Sequence, residues 1–147
     1  MRLQRRDHRR KGMSMIEAVL TTTALLTLCL GTIDLGVAVF RQHALTEAAR
    51  QGARQAIVHG SLAKTPWGAT AYSAAANDTD AKAQAVAPYL VGMDPSAVTV
   101  SMTWPDGSNA SEKNVQVTLT YTWTPLLGFI FNQSVTLTAS SKLQIAH

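Results

Sequence analysis

The chain has 147 residues, of which 46% are hydrophobic and 15% charged, enough for one domain and an anchor. Its formal charge of +4 belongs to the first 12 residues, where six Arg or Lys stand against the single acid Asp7. The rest of the chain carries seven basic and eight acidic side chains, so no basic face is left for a nucleic-acid-binding domain.

The basic arm ends at Gly12 and runs into Met13-Ser14-Met15-Ile16-Glu17 and then an uncharged apolar run, Ala18 to Ile33. Basic residues ahead of an apolar run obey the positive-inside rule, which keeps the arm cytoplasmic. The 16 uncharged residues would cover about 24 Å as a helix, slightly short of a bilayer core. Continuing through Phe40 reaches spanning length but takes in Asp34, so the expected membrane segment is 13–40. Cys29, the only cysteine, lies inside it and is expected to pack as a small hydrophobe. Gly36-Val37-Ala38 would pass as a small-x-small signal-peptidase site, but helix-forming sequence continues across it, so cleavage there would cut a helix.

No turn residues interrupt Phe40 to Val58. Ala44, Ala48, Gly52 and Ala56 recur every fourth residue and form a ridge of small side chains, with Leu45, Ala49, Ala53 and Ile57 on the adjacent ridge. Such ridges let another element approach closely. Ser14 to Val58 therefore predicts one helix of about 65–70 Å, apolar all round in its first half and amphipathic over 41–60. His59-Gly60-Ser61 ends it.

Residues 61–77 lack a clear period and read as a loop. Asp78-Thr79-Asp80 caps a short helix from Ala81 to about Leu90, limited by Pro88. Alternating apolar and Ser/Thr/Gln positions then predict strands over about 97–104, 114–124 and 134–146, with turn chemistry at Pro105-Asp106-Gly107-Ser108-Asn109. Pro125 to Asn132 breaks the alternation. The expected fold class is α+β: a long N-terminal helix, transmembrane and then amphipathic, packed on a small antiparallel sheet of about three strands. Residues 61–147 would form the αβ domain on the far side of the membrane.

The sequence offers no catalytic constellation. His8, His43, His59 and His147 have no acidic or cysteine neighbours at metal-ligand spacing, and nucleophile-elbow, phosphate-loop and zincin motifs are absent, so no enzyme activity, metal or other cofactor is expected. Two acids stand apart. Glu17 and Asp34 lie in or beside an apolar helix, where a carboxylate costs roughly 2.5–3.5 kcal/mol on insertion scales. They are 17 residues apart, on faces about 100° from one another, so they are not expected to form one site. Each is either a headgroup-level acid, partly protonated, or a docking charge for a neighbouring subunit.

Basic residues, Gly12, Met13-Ser14-Met15-Ile16-Glu17 and an apolar helix resemble the processing motif of type IV pilins. Thr32-Ile33-Asp34-Leu35-Gly36 and Ala44-Leu45-Thr46-Glu47-Ala48-Ala49-Arg50-Gln51-Gly52-Ala53-Arg54 resemble, more narrowly, the TadE-like proteins of tight-adherence (Tad) pilus systems. Tyr121-Thr122-Trp123-Thr124-Pro125-Leu126-Leu127 and the closing strand through Leu143-Gln144-Ile145 are also similar to that family. Many members have Phe where this chain has Leu35.

The resemblance implies a pilin-like fold and a minor pilin or pseudopilin. A prepilin peptidase would cut after Gly12, making Met13 the first residue and Glu17 the fifth. Glu17, with Asp34 as a second candidate, would then serve assembly, its charge compensated by the N-terminal amine of a neighbouring subunit. Implied partners are the peptidase, other pilin or pseudopilin subunits, the Tad inner-membrane platform and membrane lipid. The implied location is the bacterial inner membrane, N-terminus cytoplasmic and C-terminal domain periplasmic, with incorporation into an extracellular pilus open. The alternative is an unprocessed single-pass envelope protein that presents an αβ binding domain.

Overall fold

The computed structural model describes residues 7–125, 128 and 134–146, with 7–12 as backbone. Helix α1 runs without interruption from Asp7 to Val58. Its 52 residues correspond to about 78 Å. It begins seven residues before Ser14, because the basic arm from Asp7 onward joins the same helix.

Four strands follow: β1 (Tyr72–Ala75), β2 (Val98–Thr103), β3 (Asn114–Trp123) and β4 (Val135–Gln144). They form one antiparallel sheet in the order β1-β2-β3-β4. The architecture is α+β, with the long helix laid across one face of the sheet.

The sheet has one strand more than its alternation predicts. β1 falls inside 61–77, the stretch expected to be a loop, and its Tyr-Ser-Ala-Ala sequence carries little strand propensity. It is held by pairing: Tyr72 stands opposite Met102 and Ala75 opposite Thr99. The short helix is also shorter than expected. Helix α2 spans only Ala81–Gln84, N-capped by Asp80, whose carboxylate accepts from the Lys82 backbone N–H at 2.9 Å. A 3-10 turn over Ala87–Tyr89 replaces its second half, because Pro88 has no N–H to continue the α ladder.

Burial follows the alternation. Val98, Val100 and Met102 of β2 and Val115, Val117, Leu119 and Tyr121 of β3 point into the core. From α1 they meet Leu45, Ala48, Ala49, Ala53 and Ala56. Val86 and Leu90 close the core from the segment around the 3-10 turn. The other face of the sheet is polar: Ser73, Ser101, Thr118 and Ser140 occupy one row across all four strands.

Candidate assembly surface on the long helix

α1 passes through two environments. From Met13 to Leu30 every residue is exposed. The helix is long and apolar enough to cross a membrane: its apolar window within Met13–Val58 has a mean hydropathy of 1.9 and is only 6% buried. A core helix of a soluble protein has the same composition but is covered.

Four threonines of this uncovered part, Thr21, Thr23, Thr27 and Thr32, direct their hydroxyls back into the helix. Thr21 donates to Glu17 O at 2.8 Å, Thr23 to Val19 O at 2.8 Å, Thr27 to Thr23 O at 2.9 Å and Thr32 to Cys29 O at 2.8 Å. The hydroxyls of these four are thus satisfied within the segment, as suits a helix surrounded by hydrocarbon.

The covered stripe begins at Asp34 and repeats with the helical period. It runs through Val37 and Ala38, Arg41 and Gln42, Ala44 and Leu45, Ala48 and Ala49, Gly52 and Ala53, and Ala56. Ala44 is half-buried; Ala48, Gly52 and Ala56 are buried, so this ridge faces the chain's own domain. The approach is closest at Gly52. A Cβ there would lie 2.8 Å from Val86 Cγ2 and 3.4 Å from Val117 Cγ1, so only glycine fits without displacing a neighbour.

The other sequence-predicted residues separate along the rod. Gly12 lies within the helical backbone, and Met13 and Glu17 stand on its uncovered surface. Among the described residues, nothing pairs with the Glu17 carboxylate. Asp34 is different: it is 8% exposed and takes part in polar interaction within the chain. At 17 residues, or about 25 Å along the axis, the two acids belong to different surroundings.

The docked half of the helix is pinned at both ends. Near Asp34, the Arg41 guanidinium lies 4.8 Å from the ring centre of Trp123 and 5.5 Å from that of Tyr121, within cation–π range. Next to it, Gln42 Nε2 donates to Thr138 O at 2.9 Å, tying α1 to the edge strand β4.

At the far end the His59 ring stacks on Trp67 with centroids 4.5 Å apart. Asn109, 6% exposed, joins the two layers: Trp104 Nε1 donates to its Oδ1 at 3.1 Å, and its Nδ2 donates to His59 O at 3.0 Å. The sequence marks Asn109 only as a turn residue; a partner fifty positions away leaves no local signal.

The titration shifts lie away from the helix and have structural causes. Hydrogen bonds from Ser96 hold the Asp94 carboxyl below its ordinary range, and those from Asn114 do the same for Asp106, whose Oδ2 accepts the Asn114 backbone N–H at 2.8 Å. Burial, with the charges of Asp78 and Asp80, raises the Tyr72 phenol. Among the described residues no group of three His, Cys, Asp or Glu could hold a metal ion.

No curated protein and no solved structure matches the chain. The family model described as TadE-like protein matches residues 12–54, from the glycine that ends the basic arm to the close-packed turn around Gly52. Over that stretch the helical N-terminal part of the chain is similar to TadE-like proteins.

Proposed function

We propose that the protein is a minor pilin or pseudopilin that enters the membrane through α1, is cut after Gly12 by a prepilin peptidase, and takes part in assembling a Tad-type surface pilus. The observation that carries this reading is the spacing from Gly12 to Glu17 at the head of an uncovered, membrane-length helix, in a stretch that matches TadE-like proteins from residue 12.

The chemistry follows from the surroundings. Glycine lowers helix propensity by about 1 kcal/mol relative to alanine, so the backbone at Gly12 opens for a protease more readily than an alanine there would. After cleavage the new amine of Met13 lies one helical turn from the Glu17 carboxylate. A carboxylate costs roughly 2.5–3.5 kcal/mol in a spanning helix, and the amine of a packed neighbour offsets that cost only in the assembly. The partners on this reading are the peptidase, other pilin or pseudopilin subunits, the inner-membrane platform and the lipid around α1. The basic leader stays cytoplasmic and the sheet domain lies on the periplasmic side. Nucleic acid has no part in it.

Mass spectrometry of the protein from its host tests the reading. A chain beginning at Met13, with Gly12→Ala blocking its appearance, is expected. A mature chain that still begins at residue 1, or one cut near Ala38, overturns the processing step and leaves a single-pass anchored envelope protein.

A further inference from the structure

The sheet domain has an apolar end, and it is the end from which the membrane-length part of α1 departs. Val39 and Phe40 of the helix are exposed. The Phe40 ring lies against Gly92, where a Cβ would come within 3.2 Å of Phe40 Cε1, and Gly92 keeps the space open at a φ of 73°. The residue before it, Val91, is 60% exposed. On the other side of the helix, Arg41 lies over Trp123, and Trp123 stands opposite Val135, which is 40% exposed. Outside α1, the exposed large apolar side chains of the described residues are Leu62, Tyr89, Val91 and Val135. Of these, only Leu62 belongs to the opposite end, beside the close of the helix.

Height along the helix says what this end meets. The domain's cover begins at Asp34, which leaves Met13 to Ile33 bare, 21 residues or about 31 Å, the thickness of a hydrocarbon core. Phe40 and Arg41 then lie about 10 Å beyond that core, at the level of the phospholipid headgroups. Exposed valines and a phenylalanine, with Tyr121, Trp123 and an arginine behind them, match the side chains favoured at that depth. Arg41 Nη1 is buried and has no hydrogen-bond partner among the described residues, so the guanidinium rests against the faces of Tyr121 and Trp123.

We propose that this end of the domain is a lipid-binding surface. Val39, Phe40, Val91 and Val135 seat in the headgroup layer of the bilayer that α1 crosses. The proposal rests on the membrane reading above. It adds that the domain is held against the bilayer rather than carried free above it, and that the membrane segment is 13–33 rather than 13–40.

The three tryptophans allow a direct test. Trp123 is at the seating end; Trp67 and Trp104 are grouped around His59, about 27 Å further along the helix. The full chain is reconstituted in phosphatidylethanolamine–phosphatidylglycerol vesicles containing lipid with a nitroxide on its headgroup. Strong quenching of tryptophan emission is expected, and Trp123→Phe removes most of it. Val91→Glu combined with Val135→Glu, both on exposed positions, is expected to cut the quenching by about half while the circular dichroism spectrum and vesicle flotation stay as in the parent. Protein that floats with the vesicles but leaves Trp123 unquenched by lipid overturns the seating. So does a Trp123 shielded from both lipid nitroxide and aqueous acrylamide, since a protein partner would then hold the surface. Failure to float overturns the membrane reading beneath it.

Discussion

Gly52→Ala tests how closely α1 approaches the sheet. The added methyl would sit 2.8 Å from Val86 Cγ2, inside van der Waals contact, and Val86 is fully buried with only χ1 to turn. Overpacking of this kind costs about 1–3 kcal/mol. Against it stands the gain of about 1 kcal/mol for replacing glycine by alanine in a helix interior. The net expectation is a loss of about 1 kcal/mol, which for a domain of this size lowers the unfolding midpoint by about 4–8 °C. Tryptophan emission of the full chain in detergent micelles reads it, through Trp104 in the core.

Two further variants separate the cause from the backbone. Gly36→Ala adds its methyl where nothing lies within 4 Å, so it should show no loss. Val86→Ala removes the opposing methyl. In that background Gly52→Ala should turn neutral or stabilising, a coupling of about 1 kcal/mol or more in the double-mutant cycle. If Gly52→Ala stabilises the parent protein, or loses as much in the Val86→Ala background as in the parent, the close approach is not what selects glycine there.

Glu17→Ala should insert as well as the parent or better, having shed roughly 2.5–3.5 kcal/mol of insertion cost, yet copurify poorly with partner pilins; normal incorporation would refute the pairing account. Asn109→Ala leaves Trp104 Nε1 and the His59 carbonyl without their partner and should cost about 1–3 kcal/mol, read as a lower denaturation midpoint together with a loosened His59–Trp67 stack. The Asp106 carboxyl, lowered chiefly by the Asn114 N–H, contributes stability that is present above the unfolded carboxyl pKa of about 3.9 and is lost as pH falls through its lower folded value. Asp106→Asn should flatten that acid limb of the stability profile without moving it near neutrality.

The elements legible in the sequence are those whose pattern is local. Leu45, Ala49 and Ala53 repeat at the helical period, and Val115, Val117, Leu119 and Tyr121 at the strand period; each set lands in the core because one face of each element must be covered. β1 has no such pattern. Tyr72 to Ala75 becomes a strand because β2 presents an edge for it, a condition set by residues some 26 positions away. The same limit hides Asn109, whose partner His59 is fifty residues upstream.

Asp34 shows a different failure. Its polarity invites comparison with Glu17, and both look like acids stranded in an apolar helix. Its position, however, belongs to the docked stripe, in phase with Ala38, Arg41 and Leu45. The ridge that starts at Leu45, extended eleven residues or three turns towards the N-terminus, reaches it.

The uninterrupted run of α1 links these observations. The uncovered apolar segment and the segment under the sheet share one backbone, with no proline between Met13 and Val58. From Glu17 to Gly52 is about 52 Å of helix, and a helix of that length transmits direction where a flexible linker would lose it. The small residues at Ala48, Gly52 and Ala56 let the sheet come close enough to fix its rotation about the rod, and Gln42 and Asn109 hold it at either end. On the proposed pilin reading, a charge pair formed by Glu17 in the membrane therefore also sets the height and facing of the domain outside it. That coupling gives a physical reason for a sheet domain built directly on its anchor: the polar outer face of the sheet is presented in one orientation for each subunit docked.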